Sequence, residues 1–357
     1  MRIKVKIASA DLSRQWNQLV KWSRNSSVFH LWEWGDVLCL THGFTRYYLV
    51  AFLNGEVAGV FPLILVRSYI FGNKLVSTPF CEYGGPIVNE KFRTKTERIL
   101  VIKKLLKRAL RLAEEFCVDY IDLRSPTPMV EALLFDMGFK RFRTYVTFQI
   151  DLRRPVDIIW KNLNKKTRNA IRKAVKKGVS VRKVDAVNFT RYFYSLYLKN
   201  MKRLGSPPES CAFFKHMFAL LDSHMFIAKY LGEIIGAILL LTHRENIYWY
   251  SAVVDDRYRY LNPTNLLLWR ALEWGSERGF DRFIMGRTRK GTGVYMFKSR
   301  WGGKEVRLTD YAYFLTRVRK PADPYYGTYY YLSKVWSKLP CQIAMRVGPI
   351  IRSMMTL

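Results

Sequence analysis

The 357-residue sequence predicts an α/β (α+β) fold built from two tandem copies of one domain, each a mixed sheet flanked by helices. Three observations carry that expectation. Two apolar hairpins, YYLVAFLNGEVAGVFPLILV (47–66) and MFIAKYLGEIIGAILLLTHR (225–244), share a Gly-Glu turn and a glycine early in the return strand. The segments after each hairpin repeat as well, in the order strand, loop, long helix, buried strand, short helix, closing strand. Finally, 49% hydrophobic and 15% aromatic residues, over a length beyond one ordinary core, fit two globular domains and exclude a disordered basic tail.

Taken in order, the opening MRIKVKIASADLSRQW lacks the apolar core of a signal peptide. In the hairpins, Gly55 and Gly232 suit the positive φ of tight turns. Gly59 and Gly236 lie inside strands, where a bulge or a close backbone approach is expected. After the first hairpin come KLVSTPF, GGP, a helix through TERILVIKKLLKRALRLAEEF, the strand VDYIDLR and the closing strand KRFRTYVTFQIDL. After the second come IYWYSAVV, RYRYLNP, a helix through TNLLLWRALEWGSERG, the strand FDRFIMGR and the closing strand EVRLTDYAYFL. The expected division is a first domain over 1–150, a second over 151–320 and a basic aromatic tail over 321–357.

The formal charge of +32 and pI near 10.1 favour polyanionic partners: nucleic acid, anionic lipid or a phosphorylated substrate. Five cysteines (39, 81, 117, 211, 341) and five scattered histidines show no metal spacing, so no metal or cofactor is expected and the thiols suit a reducing compartment. No apolar run is long enough to span a bilayer, and the expected location is the cytoplasm.

The charge is concentrated in NKKTRNAIRKAVKKGVSVRK (164–183), which has nine Lys or Arg and no acid. Residues 155–178 read as one helix, with Pro155 in the first turn and Gly178 as C-terminal cap. Trp160, Leu163, Thr167, Ala170, Ile171 and Ala174 share one face; Lys161, Lys165, Arg168, Arg172 and Lys176 share the other. A solvated face would mix Glu with Lys, so the acid-free stripe points to phosphates of a donor or acceptor.

The element order is similar to that of the GNAT acyltransferase fold, whose sheet splays near the end of its fourth strand, where substrates enter. The pattern K-x-x-R-x-x-I-R-K-A-x-K-x-G-V resembles the opening of the second domain of the Fem family of nonribosomal peptidyltransferases, tandem GNAT enzymes that transfer aminoacyl groups from tRNA to peptidoglycan precursors. FIMGRTRKGTGVYMFKSRWGG (283–303) resembles that family's late motif, and FGNKLVSTPFCEYGGP (71–86) a Fem-like branch linked to exopolysaccharide and exosortase systems.

The resemblance implies an oxyanion-stabilising role for Lys298, with Phe297 buried and Lys298 facing the other way. Glu82 is the candidate base, at the end of the first domain's fourth strand, and Tyr83 lines the same cleft. Gly84 and Gly85 suit close approach of backbone to ligand. Arg287 is suited to a phosphate or an acid. Trp34, Asn200, Arg203, Asn265 and Tyr295 complete the candidate substrate contacts, with Arg168 and Arg172 on the basic helix. One departure stands out: family members acting on muropeptides usually carry a Lys in the helix matching LWEWGDVLCLTHG, where Val37 and Leu38 stand here.

A GNAT enzyme using acetyl-CoA normally cradles the pyrophosphate in a glycine-rich loop at a helix N-terminus. This sequence has Tyr260, Leu261, Asn262 and Pro263 there, without glycine and with a residue that has no N–H. The expected co-substrate is therefore aminoacyl-tRNA, with acyl-CoA as the alternative. The tail, with Trp336, Lys334, Lys338, Arg346 and Arg352, suits an anionic membrane surface or packing against the second domain. Three readings follow: an aminoacyl transferase building an amide on a cell-envelope precursor, an N-acyltransferase acting on an exopolysaccharide amino sugar, or a non-catalytic nucleic-acid or membrane binder.

Overall fold

The computed structural model describes residues 3–92, 94–316 and 334–356. The chain opens with strand β1 (Ile3–Ile7) and helices α1 (Ser13–Trp22) and α2 (Trp32–His42). Strands β2 (Thr45–Arg46), β3 (Leu49–Leu53), β4 (Glu56–Phe61), β5 (Ile64–Val66), β6 (Lys74–Val76) and β7 (Ile87–Val88) follow. Then come α3 (Lys95–Glu115), β8 (Tyr120–Leu123), α4 (Glu131–Asp136) and β9 (Lys140–Asp151). The later part runs α5 (Val156–Asn162), α6 (Lys165–Lys176), β10 (Ser180–Val184), α7 (Ala186–Arg203), α8 (Cys211–Leu220), β11 (Ser223–Tyr230), β12 (Glu233–His243) and β13 (Asn246–Val254). It ends with α9 (Pro263–Glu277), β14 (Arg282–Ile284), α10 (Gly293–Lys298), β15 (Lys304–Phe314) and α11 (Cys341–Met355).

The described residues form two compact units. One holds the chain up to Thr144, with residues 309–316 and 350–356; the other holds Tyr145–Leu308 and residues 334–349. In the first unit, β1-β3-β4-β7 is an antiparallel sheet, while β2, β5, β6, β8 and β15 follow one another in a second, mixed sheet in which β6 and β8 run parallel. Helix α3 starts from a capping box between Thr94 and Glu97, and buries Val101, Leu105, Leu106 and Ala109 with Leu49, Ala51 and Phe61. In the second unit the order is β10-β11-β12-β13-β14-β9-β15, again mixed, with β13 and β14 parallel. Its core joins Leu266, Leu267 and Leu268 of α9 to Ile171 and Ala174 of α6 and to Phe226, Ile238 and Leu240.

The hairpin glycines behave as the sequence predicts. Gly55 and Gly232 hold φ of 87° and 84° in the turns. Next to Gly59 and to Gly236 the ladder slips by one residue, so each return strand carries a bulge at the same place. The basic segment departs from its prediction. Instead of one helix over 155–178, α5 ends at Asn162, Leu163 and Asn164 turn extended, and α6 begins anew. The Asn164 N–H donates to the Arg300 carbonyl at 2.9 Å, and its side-chain oxygen accepts from the Lys166 N–H, so a tertiary bond and a cap replace helix continuation. Of the tail, residues 321–333 lie outside the described residues; Trp336 is buried rather than turned outward. Among the described residues, no helix is long and apolar enough to cross a membrane.

Candidate active site

In the second unit β13 and β14 pair only over Asn246–Tyr248 and Arg282–Ile284. Beyond that, β13 stays with β12 up to Val254, with a bulge at Tyr250 that shifts the register between Leu239 and Leu240. The chain after β14 instead follows β9: the Met285 N–H donates to the Phe148 carbonyl at 3.0 Å, and Val146 and Thr288 exchange two bonds of 2.8 Å. The two strands therefore diverge past Tyr248 and Ile284.

Lys298 enters this opening from the end of α10, a short helix started by Thr292, whose Oγ1 accepts from the Tyr295 N–H. Its Nζ donates to the Gly286 carbonyl at 2.9 Å and to the Arg287 carbonyl at 3.3 Å, and lies 5.2 Å from the Trp249 ring centroid. Gly286, with φ of 71°, supplies the left-handed turn that presents its carbonyl there. This corrects the expected packing: Lys298 is only 6% exposed and turned inward, while Phe297 is half-buried beside Trp249 and Trp301. The long stem buries well, and carbonyl acceptors and a ring face satisfy the ammonium.

Arg287 is half-buried, its guanidinium 4.7 Å from the Tyr145 ring centroid; Arg289 lies 5.3 Å from the same ring. Tyr295 donates its hydroxyl to Glu305 at 2.8 Å, and Lys290 reaches the same carboxylate at 2.6 Å. Lys290 and then Tyr295 hold the Glu305 carboxyl below its usual range. Lys298, Arg287 and Tyr295 thus lie around one strand end and one short helix, whereas the other candidates are spread out. Arg168 donates to the Lys161 and Leu163 carbonyls and caps α5, so it leaves the predicted stripe. Arg172 lies over the Trp160 ring at 5.4 Å, exposed. Buried Asn200 donates to the Leu196 and Val254 carbonyls and ties α7 to β13. Arg203 pairs with Asp256 at 3.2 Å, and Asn265 is half-buried in the first turn of α9.

In the first unit Glu82 is buried and Tyr83 half-buried, on a loop containing Thr78 and Phe80, which both hold positive φ. Gly84 and Gly85 do approach closely, but what they approach is this chain's own Ser77 carbonyl and Pro126. Trp34 is fully buried against Phe29, a core residue rather than a cleft one. Trp249 and Tyr145 escaped the sequence reading; one aromatic among several in IYWYSAVV gives no sign that it will underlie an ammonium.

At the start of α9, Pro263 has no N–H, the Asn262 N–H is used by Arg259 and the Asn265 N–H by Asn262. Of the amides at this turn, one is therefore absent and two are spent within the chain. Among the described residues, no cluster of His, Cys, Asp or Glu could hold a metal ion.

Residues 161–299 match the family described as Acetyltransferase (GNAT) domain. No curated protein matches the chain in sequence. Among solved structures, FemX is similar with a TM-score of 0.67 at 16% identity, over 87% of this chain and 97% of that one. L-PGS from Bacillus licheniformis gives 0.57 at 14% identity, over 96% and 97%. A tandem GNAT protein from the clavulanic acid biosynthesis pathway gives 0.58 at 13%, over 89% and 100%. At these identities the likeness is one of fold. Together with the family match over residues 161–299, it shows a tandem GNAT-like fold.

Proposed function

We propose that the chain is an aminoacyl transferase that moves an aminoacyl group from aminoacyl-tRNA onto an amine of a cell-envelope precursor, in the opening between β13 and β14. The observation that carries this reading is Lys298, an ammonium fixed by two carbonyls where the strands diverge. In the reaction the acceptor amine attacks the ester carbonyl of the donor. The ester C–O bond breaks, the tRNA 3′ or 2′ oxygen leaves with a proton, and an amide forms. A preorganised cation at the tetrahedral oxyanion is commonly worth about 10²–10³ in rate.

Pro263 and the bonded amides of Asn262 and Asn265 at the start of α9 support a donor without a CoA pyrophosphate. The exposed cations of α6 and its C-terminal end, Lys165, Lys166, Arg172, Lys173, Lys176 and Lys177, suit the phosphates of tRNA. The likeness in fold to FemX, to L-PGS and to the C-terminal domain of a putative lysylphosphatidylglycerol synthetase from Agrobacterium fabrum makes aminoacyl transfer to an envelope component the natural first test. The exposed Ile343, Val347 and Ile350 on α11, beside Arg346, suit contact with an anionic membrane surface, where a lipid-linked acceptor would be found.

The test uses purified protein, a tRNA pool charged with labelled amino acids and a membrane lipid extract from the source cells, with Lys298→Ala alongside. Label should move into the lipid fraction, and Lys298→Ala should lose about 100-fold in kcat. Transfer from acyl-CoA but not from charged tRNA would replace this reading with N-acylation of an amino sugar, which the acetyltransferase description of residues 161–299 favours. Full turnover in folded Lys298→Ala would remove the oxyanion role.

A further inference from the structure

The first unit contains a buried polar cluster apart from the opening that holds Lys298. Lys74 on β6 and Arg124, one residue past β8, are each 1% exposed. Arg124 pairs with Asp122 at 3.1 Å and faces Asp310 at 3.9 Å; Arg143 also reaches Asp122 at 3.1 Å. Ser125 donates its N–H and its hydroxyl to Asp310. The remaining acceptors come from the last turn of α11. Lys74 Nζ donates to the Met354 carbonyl at 3.0 Å and the Met355 carbonyl at 3.3 Å, and Arg124 Nη2 to the Thr356 carbonyl at 2.6 Å. Met355 packs on Phe71, and the Arg352 guanidinium lies 5.3 Å from the Phe80 ring centroid.

Carbonyls at a helix C-terminus lack intrahelical partners and carry the negative end of the helix dipole. Basic side chains often cap them at the surface. Here the cations belong to the sheet of the unit and are buried, while the oxygens arrive from 232 to 281 residues further along the chain. Without those oxygens two buried cations would lack part of their anionic surroundings, which is strongly unfavourable. Arg124 Nε has no hydrogen-bond partner even with the turn in place. The docked turn is itself strained: Thr356, a β-branched residue, sits at φ of 61°.

We propose that Lys74 and Arg124 form an oxyanion-binding site for a phosphate or carboxylate group, which the last turn of α11 fills with its own carbonyl oxygens and vacates when the anion binds. A phosphate or carboxylate brings a full negative charge to a guanidinium and an ammonium, where backbone carbonyls bring only dipoles. Docking and binding exclude each other, so the apparent affinity is the intrinsic one reduced by the fraction of molecules with the turn undocked.

The test is calorimetric titration of the full chain with inorganic phosphate and, separately, with acetate at constant ionic strength. Thr356→Pro undocks the turn without altering the cluster, because proline cannot adopt that φ and has no N–H for the Arg352 carbonyl. Thr356→Pro should bind the anion at least tenfold more tightly than the wild type, and adding Lys74→Met should remove that gain. Amide exchange over residues 350–356 of the wild type should rise saturably with the same anion. Equal affinity in Thr356→Pro, or a gain that survives Lys74→Met, overturns the proposal and makes the turn a fixed cap. Should the double variant fail to fold, exchange decides alone: protection of 350–356 unchanged by phosphate and by acetate overturns it. Binding of phosphate without acetate, or the reverse, identifies the ligand group.

Discussion

Lys74 shows how far a residue's setting can move its chemistry. Burial is the largest influence on its ammonium and pushes its pKa down from 10.5 to about 7, against the pull of Asp122 and with the help of Arg143 and Arg124. Below pH 7 Lys74 is charged in both folded and unfolded chains, and its burial penalty is fully present. Between about pH 7 and 10 the unfolded chain binds a proton that the folded one does not, so stability rises with pH. Lys74→Met lacks that rise. Relative to the variant, the wild type should gain up to a few kcal/mol between pH 6 and pH 9 in paired denaturant melts; a constant difference would mean that Lys74 stays charged throughout. Nothing in the local sequence FGNKLVS marks this lysine as buried. The same gap between residue type and placement explains the scattered candidates. Asn200, Arg168 and Trp34 have side chains suited to a cleft, yet backbone carbonyls and core packing occupy them. A short motif singles out Lys298, but that its ammonium would bind the Gly286 carbonyl depends on where β14 ends, which periodicity does not give.

At the scale of elements, the repeated hairpins were the most legible feature, because glycine inside a strand has few uses. In each copy the glycine lets a long helix come close. A methyl group on Gly59 would lie 2.8 Å from Val101 on α3 and 3.0 Å from the Ile87 carbonyl, while one on Gly236 would lie 3.1 Å from the Val253 carbonyl and 3.4 Å from Leu267 on α9. Gly59→Ala should therefore cost about 1–3 kcal/mol of stability through overpacking, and Gly236→Ala clearly less. Chemical denaturation of the two variants checks the order; equal costs would show that α3 gives way as easily as the Val253 strand. The break between α5 and α6 was illegible as a break, since no Gly or Pro marks it. Asn164 was the available sign, a residue with the chemistry of an N-cap in the middle of an apparently continuous helix. Its bond to Arg300 lies far away in sequence and could not be read from the pattern.

At the scale of the whole molecule, the chain order shows two copies but not which strand completes which sheet. Residues Gln149–Asp151 of β9, the strand that closes the first copy, pair with β14 of the second. Residues Tyr311–Phe314 of β15, which closes the second copy, pair with Tyr120–Leu123 of β8 in the first. Each unit thus draws its last strand from the other copy, and an alternating apolar pattern fits either partner equally well. The consequence concerns where the chain can be cut. A fragment ending at residue 152 retains every element of the first copy in sequence, yet lacks the β15 partner of β8, the Asp310 carboxylate that faces Arg124 and accepts from Ser125, and the carbonyls of the last turn of α11. It would leave the β8 edge unpaired and Arg124 buried with fewer anionic partners, a combination that commonly costs several kcal/mol, comparable to the whole stability of a domain of that size. Expressed alone, the fragment should show helical far-ultraviolet circular dichroism but weak near-ultraviolet signal and a broad melt. A sharp cooperative melt with native near-ultraviolet bands would show instead that the first copy closes its own sheet, and that β15 and the C-terminal turn add to a unit already complete without them.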